Sequence, residues 1–232
     1  MPFHRSASFQ NLVQSQYGDE LDNAAPQKLS MAQAALCFAN IHTSLGSSNL
    51  GVGHLTAIKP WTPCLPDPDV INYMLLSSRP KRANCGLKDY VSAITKSQVG
   101  NCGEKNILVC YFLLQQATPV KYHRVFLWPD DHEFVVLSQE PSEQGLFPEN
   151  FNDWNDDAVV IDPWIGICAS ARHYPELWRM KLDTMAAVGI ELRAPCFEKG
   201  KWLKANVSSW KNMLDNNQKY TLRAHPLSSQ CP

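Results

Sequence analysis

The feature that most constrains this chain is the segment SQVGNCGEKNILVCYFLL, from Ser97 to Leu114. It sets Cys102 among glycines and then, after three polar residues, runs through eight apolar ones, Ile107 to Leu114. A run with no polar interruption reads as a helix that is apolar on every side, and such a helix has to be buried all round. It ends by Ala117-Thr118-Pro119, since proline cannot continue it. The chain is therefore expected to fold around one buried helix that opens near Cys102.

With 232 residues there is enough chain for one domain with its own core, or one domain with a flexible extension. Charge is nearly balanced, at 21 Lys+Arg against 22 Asp+Glu, with no basic stripe, so nucleic acid is not expected as a partner. The longest apolar run is far too short to span a bilayer. The first residues, MPFHRSASFQNLVQSQ, hold no apolar core of a conventional secretory signal peptide. Eight cysteines occur without C-x-x-C or closely spaced histidine pairs, and several sit in apolar segments. This argues for free thiols in a reducing, cytosolic environment, with no structural metal and no cofactor.

Residues 1–28 are rich in Ser, Gln, Asn and Asp and read as a flexible arm. Residues 29–232 read as a single catalytic domain. LSMAQAALCFANIHTSL predicts a helix with Ser30 as its cap. Two more helices are predicted from Asp69 and from Leu87, with a basic loop between them. Beyond the central helix, VKYHRVFLW and HEFVVL predict a hairpin turned by PDD. A long polar loop, residues 138–156, precedes a third strand in DAVVIDPW. Further helices are predicted in SARHYPELWRMKLDTMAA and LKANVSSWKNMLDNN. Helices, then antiparallel strands, then helices make an α+β order rather than an alternating one.

A cysteine that opens a helix lies at the positive end of the helix dipole, which stabilises its thiolate. Gly100 and Gly103 leave room for a substrate carbonyl to approach the backbone. Glu104 suits the first helical turn. A thiolate nucleophile needs a base, and the base needs a group that orients it. His132 opens the strand HEFVVL, sharing a face with Phe134 and Val136. Asp162 closes the next strand. His132 follows Cys102 by thirty residues and Asp162 follows His132 by thirty more, room for three separate elements to converge. His123, on the other arm of the hairpin, is the rival base. Trp164 is expected to wall the site or pack against His132.

These three motifs in this order resemble the papain-like and transglutaminase-like cysteine enzymes. G-N-C-G-E is similar to the transglutaminase-like nucleophile segment, and H-E-F-V-V with V-I-D-P-W is similar to bacterial effector deamidases and proteases of that group. The resemblance spans about Gln98 to Gly166. It implies a Cys-bearing helix packed on an antiparallel sheet, with attack by Cys102, proton transfer by His132 and orientation by Asp162. It also implies a glutamine upstream of the nucleophile as an oxyanion donor, for which Gln98 is the candidate. The expected reaction is acyl transfer on a glutamine carboxamide of a protein substrate, as deamidase or transglutaminase. Papain's own cysteine signature is absent, so proteolysis is the alternative. A catalytically inactive binding module is the alternative of another class. By analogy the chain would act in the cytoplasm or enter a host cell as an effector without a Sec signal.

Overall fold

The computed structural model describes residues 26–52, 68–79, 86–128, 132–193, 201–215 and 221–225. Among them are six helices: α1 (Pro26–His42), α2 (Pro68–Ser78), α3 (Leu87–Ser97), α4 (Cys102–Leu114), α5 (Tyr174–Ala187) and α6 (Ser208–Lys211). Eight strands accompany them: β1 (Leu50–Val52), β2 (Tyr122–Trp128), β3 (His132–Leu137), β4 (Val159–Asp162), β5 (Ile167–Ser170), β6 (Ile190–Arg193), β7 (Trp202–Lys204) and β8 (Thr221–His225). The architecture is mixed α+β. Five strands form a sheet in the order β5-β4-β3-β2-β8 and three form a second in the order β1-β6-β7, with antiparallel pairing throughout.

Strands β3 and β4 of the larger sheet are buried on both faces, and strand alternation divides the sheet's core residues between two clusters. Val125, Leu127, Phe134, Val136, Val160, Ile167 and Ala169 face an aromatic-rich cluster with α5 and α6. Val135, Leu137, Val159 and Ile161 face the other cluster, formed by α1, α3 and α4. All six residues of β3 are buried, which explains the unbroken apolar reading of FVVL. On α1, Ala32, Ala35, Leu36 and Ala39 make a stripe of mostly small side chains that lets the helix lie close over α4 and the sheet.

Several expectations are corrected. Ser30 does not cap α1: the helix already begins at Pro26, a residue preorganised for a first turn. Lys28, expected within the flexible arm, lies in that helix and pairs with Asp157. Residues 1–25 lie outside the described residues, as do 129–131, the expected hairpin turn. The central helix is not buried all round, because its last residue, Leu114, is 52 % exposed. Near the chain's end the expected helix over LKANVSSWKNMLDNN is mostly something else among the described residues: strand β7 occupies 202–204 and only Ser208–Lys211 is helical.

Candidate active site

The helix that opens at Cys102 is fixed at its start by polar contacts. Glu104 Oε2 accepts the backbone N–H of the N-cap residue Asn101 at 3.1 Å, which is half of a capping box. Its other oxygen accepts from Arg79 Nε at 2.8 Å and Tyr90 Oη at 3.1 Å, so one buried carboxylate ties together the ends of α2, α3 and α4. The side-chain oxygen of Asn101 accepts from Ser47 Oγ at 2.7 Å and from Ser48 N at 3.0 Å. These contacts bring the loop after α1 against the mouth of α4.

The polarity of α4 runs opposite to its burial. Glu104, Lys105 and Asn106 are buried near its start, whereas Leu114 is exposed at its end. Lys105 donates to Asn40 Oδ1 at 3.1 Å, and burial lowers its pKa to about 8 against the opposing pull of Asp162. Asn106 donates to the carbonyl of Glu133 at 2.7 Å. Glu133 forms a buried ion pair with Arg124 at 2.6 Å across the β2–β3 hairpin.

His132 is 3 % exposed, and its Nε2 lies 2.9 Å from Asp162 Oδ2. Phe134 and Val136 on β3 and Val160 on β4 share one face of the sheet, and continuing the alternation sets His132 and Asp162 on it too. The turn after β4 closes around the carboxylate. Asp162 Oδ1 accepts from the backbone N–H groups of Trp164 at 3.1 Å and Ile165 at 3.4 Å, in an Asx-type turn. Gly166 completes the turn at φ +78°, where a Cβ would be strained, and leads into β5.

The imidazole packs among aromatic rings. Its centroid is 5.4 Å from Trp164 and 4.9 Å from Trp178. The Trp164 indole N–H is held in turn by Asn49 Oδ1 at 2.9 Å and Ser47 Oγ at 3.2 Å. Tyr174, which begins α5, donates its hydroxyl to Asp162 Oδ2 at 2.7 Å. Burial, then Asp162, then the sulfur of Cys102 push that hydroxyl's pKa well above its ordinary value. Cys102 therefore lies within electrostatic range of Tyr174. It also belongs to the same buried cluster as Trp164, Tyr174 and Trp178, whereas the apolar residues of α4 from Ile107 to Leu113 belong to the cluster on the other face. The tip of α4 reaches the aromatic side, and the body of the helix does not.

His132, Asp162 and Trp164 thus come together, and Cys102 lies in the same buried cluster as Trp164. Gln98 does not join them. It is exposed, caps α3 in the left-handed conformation at φ 56°, and its side-chain oxygen accepts from Ser44 at 3.4 Å. The oxyanion role implied by resemblance is not supported at this position, because the residue that ends one helix turns its side chain outward before the next begins. Gly100 gives no open approach to the backbone either: a Cβ there would meet Thr43 at 3.0 Å and Glu104 at 3.1 Å. His123 is occupied by Glu140 at 3.0 Å, apart from the buried pair. Burial pushes the thiols of Cys110 and Cys168 up to about 12, so neither competes with Cys102 as a thiolate near neutral pH.

Tyr174, Trp178 and Lys105 carry no signal in the sequence. Tyr174 and Trp178 are ordinary helical residues until the fold sets them against Asp162 and His132, and Lys105 is one until burial encloses it. Among the described residues no group of three or more His, Cys, Asp or Glu side chains is placed to hold a metal ion, and no helix is long and apolar enough to cross a membrane. No protein-family model, no curated protein and no solved structure matches this chain.

Proposed function

We propose that this protein is a thiol-dependent acyl-transfer enzyme in which Cys102, His132 and Asp162 act on a carboxamide. The observation that carries this is the buried His132–Asp162 pair, with both carboxylate oxygens filled, on the sheet face whose buried cluster also takes in Cys102, the first residue of α4. A histidine buried only for packing has no need of a carboxylate satisfied on every side. The polar tip of α4 supports the same reading, since local rules of burial are broken chiefly at functional sites. A Cys-bearing helix laid against an antiparallel sheet fits the papain-like and transglutaminase-like core that the motifs resemble.

In this reading Asp162 holds Nε2, leaving Nδ1 to exchange a proton with the thiol. The Cys102 sulfur bonds to the carboxamide carbon while its proton passes to His132. The positive end of α4 stabilises both the thiolate and the developing oxyanion. The C–N bond then breaks, ammonia leaves with the proton from His132, and a thioester remains. Water, activated by His132, cleaves the thioester to a carboxylate and restores the thiol. A lysine amine in place of water gives a cross-link. The G-N-C-G-E segment favours a glutamine substrate in a protein over peptide-bond cleavage.

The test is ammonia release from a glutamine-rich protein pool, with the same pool analysed by mass spectrometry for the gain of about 1 Da that converts Gln to Glu. Release by the wild type and none by Cys102→Ala is the expected result. Equal release by both proteins would remove the proposal.

A further inference from the structure

Tyr174 is fully buried at the start of α5, and its hydroxyl closes a triangle of polar atoms. It lies 2.7 Å from Asp162 Oδ2 and 3.3 Å from His132 Nε2, and Nε2 is 2.9 Å from that same Oδ2. A carboxylate oxygen can only accept, so the hydroxyl proton belongs to Asp162. The tyrosine oxygen is left with lone pairs facing Nε2. Nε2 therefore meets two acceptors. A proton on Nε2 satisfies both of them, whereas a lone pair there would face only oxygen.

Packing alone does not call for this hydroxyl. The ring contacts Phe134 at 5.0 Å, Phe151 at 5.6 Å and Trp178 at 6.2 Å between centroids, and a phenylalanine would fill the same volume. The oxygen adds a donor to the one carboxylate atom that also holds the imidazole. Each bond that a carboxylate accepts disperses its charge, and less charge remains to hold an imidazolium.

We infer that Tyr174 is a positioning residue that joins Asp162 in holding His132 in its Nε2–H form and moderates the grip of Asp162 on the charged ring. The catalytic meaning of this rests on the thiol-enzyme reading above; the triangle itself does not. It predicts that deleting one oxygen makes His132 harder to discharge, while Asp162 still keeps the neutral ring's proton on Nε2.

The experiment compares wild type with Tyr174→Phe, following the His132 ring nitrogens by 15N NMR from about pH 5 to about pH 10. In the wild type the neutral ring is expected to carry its proton on Nε2. In Tyr174→Phe the titration midpoint is expected to rise by about half a unit to one unit, with the neutral ring's proton still on Nε2. The alkaline limb of the amide-hydrolysis profile moves up with it, a change that simple loss of packing does not produce. An unchanged or lowered midpoint overturns the inference. Should the variant not fold, the wild-type spectrum decides, since a neutral ring protonated at Nδ1 overturns it and one protonated at Nε2 supports it. Iodoacetamide labelling of the same wild-type sample keeps the two readings apart. A Cys102 no faster than Cys37 defeats the thiol enzyme, and the His132 titration still decides the role of Tyr174.

Discussion

His132 and Asp162 meet at 2.9 Å from adjacent antiparallel strands, on the face of the sheet away from the body of α4. The carboxylate has no exposed surface and accepts four bonds, two from side chains and two from backbone N–H groups. Asp162→Ala therefore removes an acceptor shared by four donors in a closed space. The expected loss of stability is about 3–5 kcal/mol, read by urea unfolding. Asp162→Asn keeps the shape but supplies only one acceptor oxygen, so it is expected to cost less stability while lowering kcat by about 10²–10⁴-fold. A kcat within a factor of three of wild type would show that the carboxylate does not serve the imidazole.

Lys105 gives a pH prediction with a definite sign. Burial lowers its pKa to about 8, below the value of an exposed lysine, and Asp162 offsets only part of that. Between pH 8 and the unfolded value the unfolded chain holds more protons than the folded one, so stability contributed at this site rises with pH across that window. Below pH 8 both states are charged and the folded state bears the full cost of burying an ammonium group. Lys105→Met, which retains the stem and removes the charge, is expected to raise stability at pH 7 by about 1–3 kcal/mol. The gain shrinks as pH approaches 10. A gain independent of pH would mean that packing, not charge, sets it.

How much of this was legible in the chain depends on the range of the interactions. Helix α3 was read at its observed bounds, Leu87–Ser97, because its apolar residues repeat at helical spacing within one segment. The strands around His132 and Asp162 were legible from their β-branched runs and from the turn residues that follow them. Strands β1, β5, β6, β7 and β8 were not. Each has three to five residues, and β1 finds its partner only at Ile190–Leu192, so nothing local marks it. The same reason hides Tyr174, which precedes Pro175 at an unremarkable helix start and gains its role only when α5 is laid over the ends of β3 and β4. The polar residues that open α4 read only as a helix start, because sequence alone does not reveal that Arg79, Tyr90, Asn40 and the β2–β3 hairpin enclose them.

Thiol chemistry should single out one cysteine. Cys110 and Cys168 are held near 12 by burial and carry almost no thiolate at neutral pH. Cys37 is exposed but sits in the middle of α1, remote from the positive end of its helix. At about pH 6.5, iodoacetamide is expected to modify Cys102 at least tenfold faster than Cys37, as peptide mapping would show. In His132→Ala that advantage falls sharply, because the imidazolium partner is gone. Uniform slow labelling of both thiols would favour a protein that keeps the fold for binding alone.

The two glycines flanking Cys102 are predicted to answer differently to the same added methyl group. At Gly100 a Cβ would press on Thr43 at 3.0 Å and on Glu104 at 3.1 Å, so Gly100→Ala has to displace the α1 end or the capping glutamate. It is expected to cost about 1–3 kcal/mol in thermal or urea unfolding. At Gly103 the nearest atom is Glu133 Oε2 at 3.9 Å, an ordinary contact, and alanine is the better helix former. Gly103→Ala is therefore expected to hold or raise stability, by up to about 1 kcal/mol. If the substrate carbonyl approaches the helix start over Gly103, the same methyl group occupies its path, and kcat/KM falls by about tenfold or more although the fold is no weaker. A stable Gly103→Ala with unaltered kcat/KM would place the substrate elsewhere around Cys102.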